Sequence, residues 1–135
     1  MLDASHLDNL NRVLASLEDR IELSPAERLI FFHADSSVPS AKPDERRRFP
    51  RRQLRMRAVM DLRQSLPAIE RERAFHCVYL RDISRTGIGF LHADELFPGE
   101  ECRLILPQKE LHLNIVLCRR QGPRCYVIGA RFNQA

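Results

Sequence analysis

Two short stretches carry residue types that could do chemistry together. The first, Arg46-Arg47-Arg48-Phe49-Pro50-Arg51, crowds four guanidinium groups around a proline. Pro50 bars regular helix and interior strand and biases Phe49 towards extended backbone, so the arginines fan out with no core to bury their charge. A guanidinium is a planar fork that donates to phosphate through two parallel hydrogen bonds and also stacks on flat rings. The chemistry that suits this cluster is binding of an anion with bases attached. The second stretch, Asp82-Ile83-Ser84-Arg85-Thr86-Gly87, supplies a carboxylate, a hydroxyl and a glycine where a side chain would block close backbone approach. Taken by itself it also reads as an Asx or Ser turn between two strands.

The elements that must position these stretches follow from length, charge and periodicity. With 135 residues, 44% of them apolar, the chain can hold one domain with a real core and a modest addition. No run of eighteen apolar residues occurs, and Asp3 with the polar residues after it contradicts a signal peptide, so a soluble, cytoplasmic protein is expected. Cys77, Cys102, Cys118 and Cys125 have no C-x-x-C spacing and lie in or beside apolar runs. They read as buried thiols, not as a disulfide framework or a zinc site. Residues 1–45 hold four basic and nine acidic side chains, a net of −5, and residues 46–135 hold eighteen basic and nine acidic, a net of +9. An acidic arm therefore precedes a basic body that can draw in an anionic ligand, nucleic acid or the arm itself.

Leu7, Leu10, Leu14, Leu17 and Ile21 recur at steps of three and four, which predicts an amphipathic helix over residues 3–22. Ser24-Pro25-Ala26-Glu27 has the form of a capping box and predicts a second helix from Pro25 to His33. The two helices together expose an apolar stripe, including Leu29, Ile30, Phe31 and Phe32, that is too large to leave in water and must meet the barrel, another copy or a different protein. Residues 36–45 read as a linker between an arm over 1–35 and a domain over 46–135. From Leu54 the pattern alternates, with Leu54, Met56, Ala58 and Met60 on one side and Arg55 and Arg57 on the other, as in a half-buried strand. Residues 63–74 read as a connection with a short helical turn. Further strands are predicted at 75–83, 87–92, 101–106, 110–119 and 125–132, punctuated by Pro98-Gly99 and Gly122-Pro123. An antiparallel sheet closed into a small barrel is the economical architecture, because closure removes strand edges.

Arg47 and Arg51 as Arg-x-x-x-Arg, followed by Asp82, Ser84 and Gly87 as Asp-x-Ser-x-x-Gly and by Gly129-x-x-Phe132, resemble the PilZ domain, a bacterial receptor module for cyclic diguanylate. The resemblance covers roughly residues 46–133. It implies a six-stranded antiparallel β-barrel, here preceded by one or two helices that would take part of the surface other members cover with a helix after the last strand. It further implies that Arg47 and Arg51 contact guanine edges and phosphates, and that Asp82 and Ser84 take the polar edge of a guanine. Guanine presents O6 and N7 to a guanidinium fork, while its N1 and N2 hydrogens need an acceptor such as a carboxylate. Arg46, just before the first motif arginine, is similar to what accompanies an intercalated pair of ligand molecules, and Arg48 extends the cluster. Where some relatives place an aromatic near the end of the fifth strand, this chain has Cys118-Arg119-Arg120, so stacking there would fall to Arg119 or Arg120. Arg52, Arg55 and Arg57 read as a solvated strand face.

Catalysis finds no support in the motifs. His6, His33, His76, His92 and His112 are scattered, no metal-ligand spacing appears, and no nucleophile sits in a triad context. The expected protein is a non-enzymatic cyclic diguanylate receptor without metal or cofactor, signalling to a protein partner or to a second copy through its helices. The alternative is a barrel of the same family acting as an adapter through those helices without the ligand. A single-stranded nucleic-acid barrel would want several aromatic platforms among its arginines, and only Phe49 is so placed.

Overall fold

Alternation and turn residues put six strands after two helices. The structure, a computed structural model, describes residues 4–32, 52–64 and 75–133. The helices are α1 (Ala4–Ser16) and α2 (Pro25–Phe32); the strands are β1 (Arg52–Gln64), β2 (Phe75–Ile83), β3 (Gly87–His92), β4 (Glu101–Ile105), β5 (Glu110–Gly122) and β6 (Cys125–Phe132). The strands close into an antiparallel barrel in the order β1-β2-β3-β6-β5-β4, with β4 returning to β1. The 36–45 linker, residues 65–74 of the expected connection and the Arg46–Arg51 cluster lie outside the described residues. β1 takes in Arg63 and Gln64, which had been expected in that connection.

Period-two alternation sorts side chains between two cores. Ala58, Met60, Val78, Leu80, Phe90, Leu113 and Ile128 fill the barrel interior. The opposite face of β2, β3 and β6 presents Cys77, Tyr79, Leu91, Cys125 and Val127, which with Ala93 just past β3 pack under Ile21 and Phe31 of the N-terminal segment. The helices thus dock on the barrel itself. Only part of the apolar stripe goes inward, however: Phe31 is 8% exposed, whereas Leu29 and Ile30 are 60% and 72% exposed.

α2 begins as its sequence dictates, with the Ser24 hydroxyl accepting from the Glu27 amide at 3.1 Å and Pro25 in the first turn. α1 differs from expectation, ending at Ser16 and not at residue 22. Asp19 accepts from the Ile21 amide in an Asx turn at 3.3 Å, and the Glu22 amide donates to the Arg124 carbonyl at 3.1 Å. A local side-chain bond and a barrel contact take the backbone groups that a helix would need. Leu17 and Ile21 keep helical spacing because they face the same core from a non-helical segment, and Ile21 is 2% exposed. Full burial of such a side chain contributes about 1.5–3 kcal/mol, which keeps the segment down without helical hydrogen bonds.

The segment is also held by a polar latch. The Tyr79 hydroxyl, wholly buried, donates to the Asp19 carboxylate and accepts from Arg28. Arg28 also donates to Asp19 at 3.0 Å and to the Ile21 carbonyl at 3.2 Å, satisfying groups that burial would otherwise strand. Burial first, then the hydrogen bond to Asp19 and its charge, push the Tyr79 phenol well above its ordinary pKa.

Candidate functional site

The Asp-x-Ser-x-x-Gly stretch forms the end of β2, a tight turn and the start of β3. Its backbone closes through the Ser84 amide donating to the Gly87 carbonyl at 2.8 Å, and the Ser84 hydroxyl oxygen accepts from the Gly87 and Thr86 amides at 3.3 and 3.4 Å. Ser84 therefore organises the turn, which is the Ser-turn geometry its type favours. Gly87 is required by a neighbouring strand: a Cβ there would lie 2.2 Å from the Ala130 carbonyl oxygen of β6. The close approach that excludes a side chain comes from the barrel.

Asp82 is positioned by a bulge. β2 and β3 pair Leu80 with Phe90 and then Asp82 with Gly89, so Arg81 is an extra residue and Asp82 turns to the outer wall. There it is 7% exposed and lies over Gly89, whose missing Cβ would sit 2.6 Å from Asp82 Oδ1. The next strand repeats the device, since Gly89 pairs with Gly129, Gly129 pairs with Leu117, and a Cβ on Gly129 would sit 2.9 Å from Leu117 Cγ. Asp82, Gly89, Gly129 and Leu117 therefore form one row across β2, β3, β6 and β5. Two glycines let a carboxylate and a leucine lie flat against the wall. The carboxylate oxygens are held in place beside a low surface, as the edge and face of a planar ligand require.

Cations gather at the same end. β1 enters opposite the motif, pairing Arg52 with Ile83 and Gln53 with Asp82. Arg55, expected on a solvated face, is half-buried with its guanidinium 4.4 Å from the centroid of the Phe31 ring, and Arg57 lies 5.8 and 5.9 Å from the Phe32 and Tyr79 rings. For Arg55 the expectation fails because α2 brings aromatic faces to β1, on which a guanidinium can rest while its stem is covered, whereas Arg52 and Arg57 are exposed as expected. Burial first, then the charge of Arg81, lower the Arg55 pKa, and Asp82 opposes the shift. Register puts Arg119 on the outer face with Leu117, opposite Val127, whereas Arg120 lies opposite Tyr126 and donates to the Gly122 carbonyl at 3.3 Å. Arg46, Arg47, Arg48 and Arg51 lie outside the described residues. Charge counting alone had concealed the roles of Arg55 and Arg81, and the pairing of Gly89 with Asp82 needs a register that no local motif specifies.

Other reactive groups are held elsewhere in the fold. All four cysteines are thiols; Cys77, Cys102 and Cys125 are buried and Cys118 is half-buried. Burial, with Glu100 and Asp61 adding to it, pushes the Cys102 thiol up to about 12, which suppresses the thiolate a nucleophile would need. His76, His92 and Asp94 place one ligand atom each within 4.8 Å of one another. Asp94 already accepts from both terminal nitrogens of Arg20, at 3.1 and 3.2 Å, and stands 3.7 Å from Arg124. Two guanidiniums on this carboxylate oppose a further cation there.

The fold and the turn define a class, the small closed antiparallel barrels with an Asp-x-Ser-x-x-Gly turn between their second and third strands. Residues 45–135 match the PilZ domain, and the chain belongs to that family of cyclic diguanylate receptors, whose members are generally non-catalytic. Among curated proteins none matches the chain. No helix among the described residues is long and apolar enough to cross a membrane.

Proposed function

We propose that this protein is a non-enzymatic receptor for cyclic diguanylate whose Arg46–Arg51 segment closes on the β2–β3 turn when the ligand binds. The observation that supports the reading is the register of β1, which pairs Arg52 with Ile83 and Gln53 with Asp82, so that the strand following the Arg cluster in sequence begins beside the motif's second half. Arg47 and Arg51 then donate to phosphates and guanine edges, Asp82 accepts from a guanine, and Arg46 and Arg48 favour an intercalated ligand pair. The ligand's phosphates offset the mutual repulsion of the clustered guanidiniums.

The arm (1–35), the linker (36–45) and the barrel (46–135) act in series. Arg55 rests on Phe31 of α2 and feels the charge of Asp82, so a ligand at Asp82 biases the contact that holds the arm. Leu29 and Ile30, already exposed on the docked α2, are the residues whose position relative to a protein partner or a second copy such a shift would change. A cytoplasmic location suits a second-messenger receptor of this kind.

Calorimetric titration with cyclic diguanylate tests the receptor reading. Wild type binds in the micromolar range or tighter at about two ligands per chain, by analogy with stacked-base sites, and Arg47→Ala and Asp82→Ala abolish the heat. Absence of binding by folded wild-type protein refutes it and favours the ligand-independent adapter. Hydrogen exchange in residues 1–52 that ignores the ligand refutes the arm coupling.

A further inference from the structure

Between α2 and the outer wall of the barrel lies a cavity of about 210 Å³, beside the Asp82 row. Its position follows from register: Leu91, on its floor, is two residues along β3 from Gly89 and faces the same way, and Arg81, on its wall, is the bulged residue before Asp82. Arg55 completes that wall with Phe31 behind it, Gln121 enters from β5, and Glu27 comes from the first turn of α2, outside the residues that match the family. The volume falls short of the roughly 300–1,000 Å³ of sites for drug-sized molecules and suits a single flat group.

The wall residues carry unspent hydrogen-bonding capacity. Among the described residues, the side chains of Glu27, Arg55 and Arg81 make no hydrogen bond or ion pair with one another or with other groups, and Arg55 Nε is buried without a partner. Two guanidinium forks thus face a cavity that also has a carboxylate on its rim, with nothing bridging them. A phosphate would satisfy the forks and be repelled by Glu27. A guanine satisfies both kinds of group at once, taking the forks on O6 and N7 and giving its N1 and N2 hydrogens to the carboxylate.

We propose that this cavity is a second guanine subsite, in which Glu27 of α2 reads the N1 and N2 hydrogens while Arg81 and Arg55 of the barrel hold O6 and N7. The inference rests on the cyclic diguanylate reading and adds to it that the N-terminal arm itself contributes a base-reading residue. An intercalated ligand pair supplies a guanine beyond the one at Asp82. It also makes arm docking and ligand binding mutually dependent, since the subsite exists only while α2 lies on the wall.

The test is calorimetric titration of the full chain with cyclic diguanylate and cyclic diadenylate, using wild type, Glu27→Ala and Arg81→Ala. Glu27→Ala is expected to weaken cyclic diguanylate about tenfold, the order of a lost bidentate base contact, and to narrow the preference over the adenine compound. Arg81→Ala should likewise reduce the preference. Tighter or unchanged cyclic diguanylate binding in Glu27→Ala, or equal weakening of both compounds in Arg81→Ala, means that the cavity holds phosphate or nothing, and overturns the proposal while the receptor reading stands. Wild-type protein that binds no cyclic diguanylate overturns both. Glu27 and Arg81 lie outside both cores, and matching circular dichroism and melting curves establish that each variant is folded.

Discussion

The row Tyr79, Leu91, Val127 and the row Asp82, Gly89, Gly129 cross the same three strands of the barrel, on the same outer face, side by side. The first belongs to the apolar cluster that α2 and the segment before it cover. In the second, one carboxylate and two glycines take the place of three large side chains. The difference lies in side-chain size and polarity at equivalent register positions. Bulky apolar groups recruit a helix because burying them lowers the free energy, whereas glycines offer a helix nothing to bury and let a polar group lie against the backbone. A single sheet can therefore dock an arm on one row and keep a carboxylate on a low, uncovered row beside it, and Arg55, on Phe31 and within the field of Asp82, stands where the two regions meet.

The change expected to have the largest effect breaks both regions at once. Gly87→Ala sets a Cβ 2.2 Å from the Ala130 carbonyl oxygen, and neither backbone can yield without parting β3 from β6. The expected cost is about 3 kcal/mol, seen as a fall in melting temperature on the order of 10 °C or more together with lost ligand binding. A melting curve within a degree or two of wild type would mean that the strands part easily, and the contrast between the two rows would lose its rigid frame.

Phe31→Ala should break the covered region alone. Removing the ring takes away the platform under Arg55 and the contact with Tyr79, at a cost of up to about 3 kcal/mol borne by arm docking. Hydrogen exchange should quicken in residues 8–32 and stay unchanged in β2, β3 and β6. Equal acceleration in the barrel strands would show that arm and barrel form one cooperative unit.

The covered region and the barrel interior also respond to alkali. The Cys102 thiol, up from 9.0 to about 12, and the Tyr79 phenol, raised from 10.0, are protonated in the folded protein at pH values where the unfolded chain has lost the proton. A raised folded-state pKa gives stability that is complete below the unfolded value and is lost as pH rises. Stability should accordingly fall by about 1.4 kcal/mol per pH unit from pH 9 upward through Cys102, with Tyr79 adding to the slope above pH 10. In Tyr79→Phe the second component disappears, and in Cys102→Ala the first shrinks, with the buried Cys77 and Cys125 thiols, also raised, supplying what remains. A flat profile between pH 9 and 11 would contradict both assignments.

Local chemistry was legible in the sequence and register was not. Bounding turn residues marked Phe75–Ile83, Gly87–His92 and Cys125–Phe132, three strands read to the residue, and Ser24-Pro25-Ala26-Glu27 marked the start of α2, because each rests on neighbours within a turn or two. Leu17 and Ile21 misled, since helical spacing reports which residues face a core and does not reveal that Asp19 is drawn to Tyr79 from sixty residues away. Arg55 misled for the same reason, its aromatic partner lying on another element. The motif Asp82-x-Ser84-x-x-Gly87 was readable, yet its companion Gly89 depends on a bulge at Arg81, and a bulge has no mark in the residue types that make it.

The smallest effects sharpen the comparison within the Asp82 row itself. Gly89→Ala puts a Cβ 2.6 Å from Asp82 Oδ1, and Gly129→Ala puts one 2.9 Å from Leu117 Cγ. Asp82 is nearly buried and must leave its place, whereas Leu117 is half exposed and can swing outward. Gly89→Ala should then cost about 1 kcal/mol of stability and weaken cyclic diguanylate about tenfold through the displaced carboxylate. Gly129→Ala should cost under about 0.5 kcal/mol, with affinity close to wild type, as for a change relieved at the surface. Melting and calorimetry on the pair separate two accounts of the row. If only Gly89 matters, the fixed carboxylate makes the site. If Gly129→Ala weakens binding as much, the low surface beyond it is also in contact with the ligand, and Leu117 joins Asp82 as its opposite border.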